Sequence, residues 1–202
     1  MIAIIDYGAG NLHSVKNALD SLSAESVISN NPEEILSADK IILPGVGAFG
    51  DAMEALERSG LTETVRRAVE LNKPLLGICL GLHLLFEESE ETPDVKGLGI
   101  LKGRVAKIPK AEGIKIPHMG WNSLEFPKES RILKGIGDEP YLYFVHSYYV
   151  QPEDEAVVSA YTDYGNRLAV AVEKGNLFAV QFHPEKSGDT GHIILENFLN
   201  LE

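Results

Sequence analysis

The chain has 202 residues and a formal net charge of −12, with 44% hydrophobic and 24% charged residues, which is the balance of an ordinary globular protein. Its acidity argues against binding to nucleic acid or to anionic membranes through general electrostatics. A single cysteine excludes an internal disulfide and, with no signal peptide or long apolar run found, predicts a cytoplasmic protein. The length, together with the lack of a clear linker, predicts one domain, residues 1–202.

The first half of the chain alternates strand and helix signals. Strands are predicted at residues 1–7, 25–29, 40–44 and 73–78, and helices at 12–22, 49–57, 61–72 and 81–88. Alternation of this kind favours a parallel sheet covered by helices on both faces.

The second half consists of shorter runs broken by Gly, Pro and Asp. Strands are predicted at residues 105–108, 124–126, 141–145, 156–161, 168–172 and 177–182, and a final helix at 191–200. Several of these strands are expected to form antiparallel hairpins. The sequence therefore predicts an α/β, flavodoxin-like three-layer domain, whose central mixed, largely parallel sheet has an antiparallel extension in the second half.

The segment Gly77–Gly81 (Gly-Ile-Cys-Leu-Gly) places Cys79 between two glycines where a predicted strand meets a helix. The spacing is that of the Gly-x-Ser-x-Gly nucleophile elbow, with Cys in place of Ser. A sharp turn leaves little room for flanking side chains, and a helix N-terminus favours a thiolate. The backbone N–H of Leu80 would be available to an oxyanion. A buried structural cysteine is the alternative interpretation.

A base for this nucleophile is predicted in His183, which follows an apolar strand. Pro184 restricts the backbone between His183 and Glu185, so that Glu185 can orient the imidazole and stabilise its protonated form. A turn histidine beside a solvated carboxylate is the alternative. The other five histidines have no metal-ligand spacing, and neither a metal nor a cofactor is predicted; they are His13, His83, His118, His146 and His192.

The run around Cys79, together with Phe182–Glu185 (Phe-His-Pro-Glu), resembles the class I (triad) glutamine amidotransferases. Four further segments resemble the branch of that family formed by the glutaminase subunits of imidazole glycerol phosphate synthase, an enzyme of histidine biosynthesis. These segments are residues 6–11, 44–50, 117–122 and 143–148. The resemblance extends from residue 1 to about residue 200.

The resemblance implies that Cys79 attacks L-glutamine and forms a glutamyl thioester, while His183 acts as base and then acid and Glu185 orients it. The products would be glutamate and ammonia, and the ammonia would pass to a separate (β/α)₈-barrel cyclase subunit in a heterodimer. That cyclase would make imidazole glycerol phosphate and aminoimidazole carboxamide ribonucleotide.

The resemblance also implies further substrate contacts. Gly45, Val46 and Gly47 would form an oxyanion strand with Leu80, and glycine on both sides of Val46 would let its peptide change orientation when a partner docks. The other implied substrate-binding residues are His83, His146, Ser147 and Tyr148. His83 stands where the family usually has Gln, which leaves the details of glutamine recognition open.

A docking face for the cyclase is predicted at Met119, Trp121 and Asn122, because Trp beside Met is typical of an interface anchor. Core packing of Trp121 is the alternative. The resemblance adds four positions near the partner, which are Tyr7, Asn11, Tyr143 and Lys186; Lys186 would pair with a carboxylate of the cyclase.

Two other functions stay open from the sequence. One is the glutaminase of a different synthase, such as that of pyridoxal phosphate or anthranilate synthesis, with the same triad. The other is a non-enzymatic flavodoxin-like binding or chaperone module with an oxidisable elbow cysteine. The segments at residues 6–11 and 117–122 argue against the first, and the base at His183 argues against the second.

Overall fold

A computed structural model describes residues 1–201 of the chain. Its strands are β1 (Ile2–Ile5), β2 (Ser26–Ser29), β3 (Lys40–Gly45), β4 (Leu75–Cys79), β5 (Glu88–Ser89), β6 (Gly103–Lys107), β7 (His118–Ser123), β8 (Tyr141–His146), β9 (Tyr148–Pro152), β10 (Val158–Asp163), β11 (Arg167–Lys174) and β12 (Leu177–Val180). Its helices are α1 (Leu12–Ser21), α2 (Pro32–Ser37), α3 (Phe49–Arg58), α4 (Thr62–Glu70), α5 (Leu80–Leu84) and α6 (Gly188–Leu199), with 3₁₀ turns at Glu155–Val157 and Pro184–Lys186.

A large mixed sheet forms the centre of the fold, in the order β2-β1-β3-β4-β12-β11-β9-β6-β5, with β10 also paired to β11. The five strands from β2 to β12 are parallel. The pairs from β12 through β11 and β9 to β6 are antiparallel. A separate antiparallel hairpin joins β7 and β8. The predicted α/β fold, with a largely parallel sheet and an antiparallel extension, is confirmed.

Helices cover both faces of the sheet, and alternate side chains of strand β1 pack against the helices of opposite faces. Ala3 and Ile5 point into a core shared with α2, α3, α4 and α5, whereas Ile2 and Ile4 point into a core shared with α1 and α6. Every residue of β1 is buried, as in the interior of a parallel sheet. The apolar run at the start of the chain therefore packs against two helical layers at once.

Two predicted elements are wrong in extent or place. The helix predicted at 81–88 ends at Leu84, because the carbonyls of Leu84 and Leu85 accept hydrogen bonds from Leu98 and Ile100 of a returning loop. The strand predicted at 124–126 lies instead at β7, where pairing with β8 fixes it. Glu125 makes only an isolated bridge to Tyr161.

Helix α2 and strands β5 and β9 were not predicted. Helix α2 begins at Pro32, and the side chain of Asn31 accepts a hydrogen bond from the backbone of Glu33 at 2.9 Å, a capping arrangement visible in the sequence. Strand β9 follows β8 after Ser147 alone, and its five residues pair with β6. Within residues 1–201 no helix is long and apolar enough to cross a bilayer.

Candidate active site

Cys79 lies at a strained turn between strand β4 and helix α5. Its φ of 55° and ψ of −108° fall where residues other than glycine are rare. A Cβ on Gly81 would lie 1.9 Å from the carbonyl oxygen of Leu43, and one on Gly77 would lie 3.0 Å from the backbone of Gly81. Gly81 therefore leaves no room for a side chain and Gly77 leaves little, so the turn packs closely against the sheet.

His183 emerges beside Cys79 because β12 runs parallel to β4, with Val180 opposite Ile78. The backbone N–H of His183 donates to the carbonyl of Tyr143 at 3.0 Å, which ties this segment to the β7–β8 hairpin. The carboxyl ends of adjacent parallel strands thus bring together two residues that are far apart in sequence.

Glu185 orients the His183 ring. Nδ1 of His183 lies 2.8 Å from Oε1 of Glu185, and the two side chains are only 2% and 1% exposed. Because a carboxylate only accepts, Nδ1 carries the proton and Nε2 is directed elsewhere. Among residues 1–201, Nε2 has no hydrogen-bond partner of ordinary geometry, so it is available to a reacting group.

The charge state of His183 follows from its neighbours. Burial lowers the pKa of His183, but interactions with Cys79 and with Glu185 outweigh burial and raise the pKa to about 9. The ring is therefore protonated near neutral pH. Nε2 of His183 forms no hydrogen bond of ordinary geometry within residues 1–201, as is common for catalytic pairs before substrate binds.

Cys79 and His183 face one cavity of about 310 Å³. It is lined by Val46, Gly47, Cys79, Leu80, His83, Glu91, Pro117, Val145, His146, Ser147, Tyr148 and His183. Seven of the residues predicted to bind substrate thus lie with the predicted nucleophile and base, while Glu185 lies behind the ring of His183. Glu91, Pro117 and Val145 were not predicted.

A larger cavity, of about 870 Å³, contains none of the predicted catalytic residues. It is lined by Phe126, Lys128, Glu129, Ser130, Arg131, Leu133, Lys134, Gly137 and Glu173. Its cations are mostly engaged within the protein, since Arg131 pairs with Glu173 and Lys128 donates to the carbonyl of Ala156. The smaller cavity is the candidate active site because it alone combines a nucleophile with an oriented base.

The segment predicted as an oxyanion strand is closely packed at Gly45 and open at Gly47. A Cβ on Gly45 would lie 2.8 Å from the hydroxyl oxygen of Tyr7, and that hydroxyl donates to the carbonyl of Pro44 at 3.0 Å. Gly47, with a φ of 98°, has no atom within 4 Å of the position of a Cβ, and Val46 is 41% exposed. The Gly47 end of this segment therefore has space that the Gly45 end lacks.

Gln181 is a residue of the site that was not predicted from the sequence. It is fully buried, its Nε2 lies 3.8 Å from Sγ of Cys79, and its Oε1 lies 2.7 Å from Nε2 of His83. Burial lowers the pKa of His83 to about 4, so its ring is neutral. The only signal in the sequence is an amide at the end of an apolar strand, two positions before His183.

His146 belongs to a chain of hydrogen bonds behind the cavity. Its Nδ1 donates to the carbonyl of Tyr148 at 2.9 Å, so its Nε2 must accept from Nδ1 of His118, also at 2.9 Å. The ring of His118 stacks between Phe144 and Tyr164 at centroid distances of 4.7 and 3.9 Å. Burial lowers the pKa of both, to about 3 for His146 and about 4 for His118.

The predicted docking residues divide into two groups. Met119 and Trp121 are 63% and 55% exposed on β7, and Tyr143 lies opposite Trp121 on β8. The ammonium of Lys186 lies 6.0 Å from the centre of the Tyr143 ring. These four residues form one surface beside the His183 segment, which we call the hairpin face.

The remaining docking residues are less accessible. Tyr7 is only 3% exposed and its hydroxyl supports the chain at Pro44, so it does not fit a docking role. Asn11 is half-buried just before α1. Asn122 is also half-buried and donates to the carbonyl of Asp163 at 2.9 Å. Within residues 1–201 there is no cluster of three or more side chains arranged to hold a metal ion.

Comparison with known proteins identifies a family. The model of the family "Glutamine amidotransferase class-I" matches residues 3–201. The imidazole glycerol phosphate synthase subunit HisH of Aquifex aeolicus is 54% identical over 196 residues, which cover 96% of this chain and 94% of that protein. HisH of Methanocaldococcus jannaschii is 52% identical over 201 residues, covering all of both chains.

Solved structures share the fold. A crystal structure described as a glutamine amidotransferase superposes with a TM-score of 0.75 at 25% identity, covering 98% of this chain and 99% of the other. The structure of PurLQS from Thermotoga maritima has a TM-score of 0.73 at 21% identity, with 98% and 97% covered. At this identity, the second likeness concerns the fold alone.

Proposed function

Because the chain belongs to the class-I glutamine amidotransferase family, we propose that it is the glutaminase subunit of an imidazole glycerol phosphate synthase. It hydrolyses L-glutamine with Cys79, His183 and Glu185. The observation that carries this proposal is the meeting of a strained elbow cysteine and a carboxylate-oriented histidine at one cavity. The relatives that are about half identical over the full chain support the choice of synthase.

In the first half-reaction, the thiolate of Cys79 attacks the carbonyl carbon of the glutamine side-chain amide. The tetrahedral intermediate collapses as its C–N bond breaks, and protonated His183 delivers the Nε2 proton to the departing nitrogen. Ammonia leaves and a glutamyl thioester remains on Cys79. The pKa of about 9 ensures that His183 holds the required proton when the substrate arrives.

In the second half-reaction, neutral His183 takes a proton from a water molecule, whose oxygen attacks the thioester carbonyl. The C–S bond breaks, glutamate leaves, and the thiolate of Cys79 is restored beside protonated His183. Glu185 keeps the ring in one orientation and stabilises its charge in both steps. No proton needs to move onto Glu185.

The negative oxygen that develops in each step needs donors close to Cys79. The N–H of Leu80 lies at the first position of α5, where helix N–H groups have no partner within the helix. A second donor comes from the Val46–Gly47 peptide when its N–H faces the cavity. His83, His146, Ser147 and Tyr148 line the rest of the cavity and shape it around the substrate.

Glu91 is proposed to bind the α-ammonium group of glutamine. Its Oε2 accepts a hydrogen bond from the backbone N–H of Phe49 at 2.8 Å, which holds the carboxylate at the cavity wall. The other carboxylate oxygen remains free to accept from an ammonium group. This charge pairing would favour an amide substrate that carries an α-ammonium group, as glutamine does, over a simple amide that has no charge.

The ammonia is proposed to pass to a (β/α)₈-barrel cyclase docked as a heterodimer on the hairpin face. Met119 and Trp121 offer exposed apolar surface there, and Lys186 offers a cation next to the catalytic segment. The cyclase uses the ammonia to make imidazole glycerol phosphate and aminoimidazole carboxamide ribonucleotide. We propose that both subunits are cytoplasmic and that the glutaminase consists of one domain.

Docking is proposed to switch on the glutaminase through the Val46–Gly47 peptide. One peptide orientation presents a carbonyl to the developing oxyanion and the other presents an N–H. A missing donor costs roughly 10²–10³ in rate. The partner changes this balance only if it binds one orientation more tightly than the other.

The test is co-purification with a candidate barrel cyclase, followed by an assay of glutamine-dependent cyclisation. We expect a stable complex whose glutamine-dependent turnover is abolished by Cys79→Ala, while turnover with added ammonium salts persists. Retention of glutamine-dependent turnover by that variant would reject the assignment of the nucleophile. A complex that forms but makes no cyclised product with either nitrogen source would reject the assignment of the synthase.

A further inference from the structure

Gln181 is the first residue after β12, and the parallel pairing of β12 with β4 brings it next to Cys79. Its backbone N–H donates to the carbonyl of Val170 at 2.8 Å, and its side chain is fully buried. The amide reaches two groups, Sγ of Cys79 at 3.8 Å and Nε2 of His83 at 2.7 Å. Buried polar groups are normally hydrogen-bonded, so the orientation of this amide depends on which of its two ends donates or accepts at the sulfur atom and at the ring nitrogen.

Two orientations of the Gln181 amide are chemically possible. In the first, His83 Nε2–H donates to Oε1 and the NH₂ group donates to sulfur. In the second, the NH₂ group donates to a bare His83 Nε2 and Oε1 faces sulfur. A thiolate selects the first, because the second places an oxygen lone pair against an anion.

His83 controls this choice through its tautomer. Burial keeps the ring neutral at ordinary pH, so it carries a single N–H. When that hydrogen is on Nε2, the short contact to Oε1 turns the NH₂ group toward Cys79. The ring brings no positive charge of its own to the sulfur, and its effect on Cys79 passes through the amide.

The other polar groups facing Cys79 do not replace this donor. His183 approaches from the segment after β12 and supplies charge, but forms no hydrogen bond of ordinary geometry to sulfur within residues 1–201. The hydroxyl of Tyr7, from the loop after β1, donates to Pro44. Glu91 and His146 line the same cavity, the first as a carboxylate and the second as a neutral ring.

We propose that Gln181, oriented by His83, is a positioning residue for the reacting sulfur of Cys79. It donates an N–H to the thiolate and holds the thiolate at the floor of the cavity before substrate binds. Its donation persists when the thiolate returns as leaving group from the thioester. This inference rests on the proposed glutaminase site, because it takes Cys79 as the nucleophile.

The experiment measures the rate at which iodoacetamide alkylates Cys79 from about pH 5 to about pH 10, since only the thiolate reacts. The full chain is used as the wild type, Gln181→Met and Gln151→Met. Gln151 is a matched control, because its amide lies on β9 and contacts Tyr149 and Arg104. Mass spectrometry verifies that the label is on Cys79.

We expect Gln181→Met to react roughly tenfold more slowly than the wild type near pH 6, which is the effect of removing one hydrogen bond to a charged group. The two rates should converge at high pH, where the thiol is ionised in both proteins. Gln151→Met should follow the wild type. The proposal would be overturned if the pH profile of Gln181→Met superposed on that of the wild type. It would also be overturned if the alkylation rate of Gln181→Met were lower than that of the wild type by the same factor at every pH.

A second pair of variants guards against a Gln181→Met protein that does not fold. His83→Gln keeps an N–H donor for Oε1 of Gln181, and His83→Leu removes it. We expect His83→Leu to shift the profile toward higher pH and His83→Gln to restore most of the reactivity at low pH. Equal profiles for the two variants would overturn the proposal, because the orientation of the amide would then not depend on His83.

The proposed function can fail separately. If wild-type Cys79 reacts with iodoacetamide but the complex shows no glutamine-dependent turnover, the glutaminase assignment fails whatever the profile of Gln181→Met. If the complex turns over and the profiles of the wild type and Gln181→Met superpose, only the role of Gln181 fails.

Discussion

His183 and Glu185 are joined by a hydrogen bond of 2.8 Å between Nδ1 and Oε1, although only Pro184 separates them in sequence, and both side chains are buried. Such closeness is possible because the segment turns in a 3₁₀ conformation at Pro184–Lys186. The two residues therefore form one rigid unit that presents Nε2 toward the cavity. Their functional effects should be coupled for the same reason.

This coupling predicts that losses in the triad do not add. His183→Ala should lower the rate of glutamine hydrolysis by the complex by roughly 10²–10⁴, and Glu185→Gln should lower it less. The double variant should be little worse than His183→Ala alone, since Glu185 acts only through His183. Steady-state rates of glutamate formation measure this, with the exposed Asp189→Asn as control. Strictly additive losses would show that the two residues act independently.

The buried neutral histidines predict a loss of stability in acid. His83, His118 and His146 have folded-state pKa values lowered by burial to about 4, 4 and 3. Below about pH 6.5 the unfolded chain protonates these rings while the folded chain does not, so the free energy of unfolding falls as pH falls. Each ring contributes a slope of up to about 1.4 kcal/mol per pH unit between its unfolded and folded pKa.

Urea unfolding at about pH 7, 6 and 5 measures this slope. His146→Asn should flatten it, because Asn keeps a donor for the carbonyl of Tyr148 but cannot be protonated. The exposed His13→Asn is the matched control and should leave the slope as in the wild type. A slope that is the same in His146→Asn and in the wild type would contradict the assignment of His146 as a buried neutral ring.

The exposure of Trp121 predicts a role in association and not in folding. Its side chain lies on the hairpin face at 55% exposure and contacts Tyr143 at a ring-centroid distance of 6.2 Å. Trp121→Ala should weaken binding to the cyclase by about 2 kcal/mol or more, which is about 30-fold in Kd. Phe126→Ala, at an exposed aromatic residue outside that face, is the control. An unchanged Kd together with a large fall in Tm would place the energetic role of Trp121 within the chain.

The close packing of the elbow predicts that Gly81 tolerates no side chain. In Gly81→Ala, the new Cβ would lie 1.9 Å from the backbone oxygen of Leu43, which cannot move without disturbing β3. We expect a loss of about 3 kcal/mol of stability or more. Gly60→Ala is the comparison, because Gly60 has a φ of 73° and open surroundings, and should cost about 1–2 kcal/mol. Equal losses would mean that the elbow relaxes to accept a side chain.

The elbow and its oriented base were accessible from the sequence because their signals are local. Glycines on both sides of Cys79 indicate a turn with little room for side chains, and Pro184 indicates a restricted backbone between His183 and Glu185. The parallel half of the sheet was equally accessible, since its strands are continuous apolar runs. In each case the signal in the sequence lies within a few residues of chain, even where the contact that it reports is with a distant segment.

The rest depends on contacts between distant segments. Gln181 touches Cys79 only because β12 adds to β4 in one register, and no local pattern encodes that register. Tyr7 was predicted near the docking partner, but its side chain is buried against Gly45. Strand β9 is defined by its partner β6, and helix α5 is cut short by a loop that returns from residue 98.

Covalent trapping shows whether Cys79 is the nucleophile of a glutamine-hydrolysing triad. The complex of the chain with its cyclase is incubated with a glutamine analogue that carries an alkylating group, and peptide mass spectrometry locates the adduct. We predict one adduct, on Cys79, that forms more slowly in His183→Ala and is absent in Cys79→Ala. An adduct on another residue, or a Cys79→Ala complex that still releases glutamate from glutamine at the wild-type rate, would show that Cys79 is not the nucleophile.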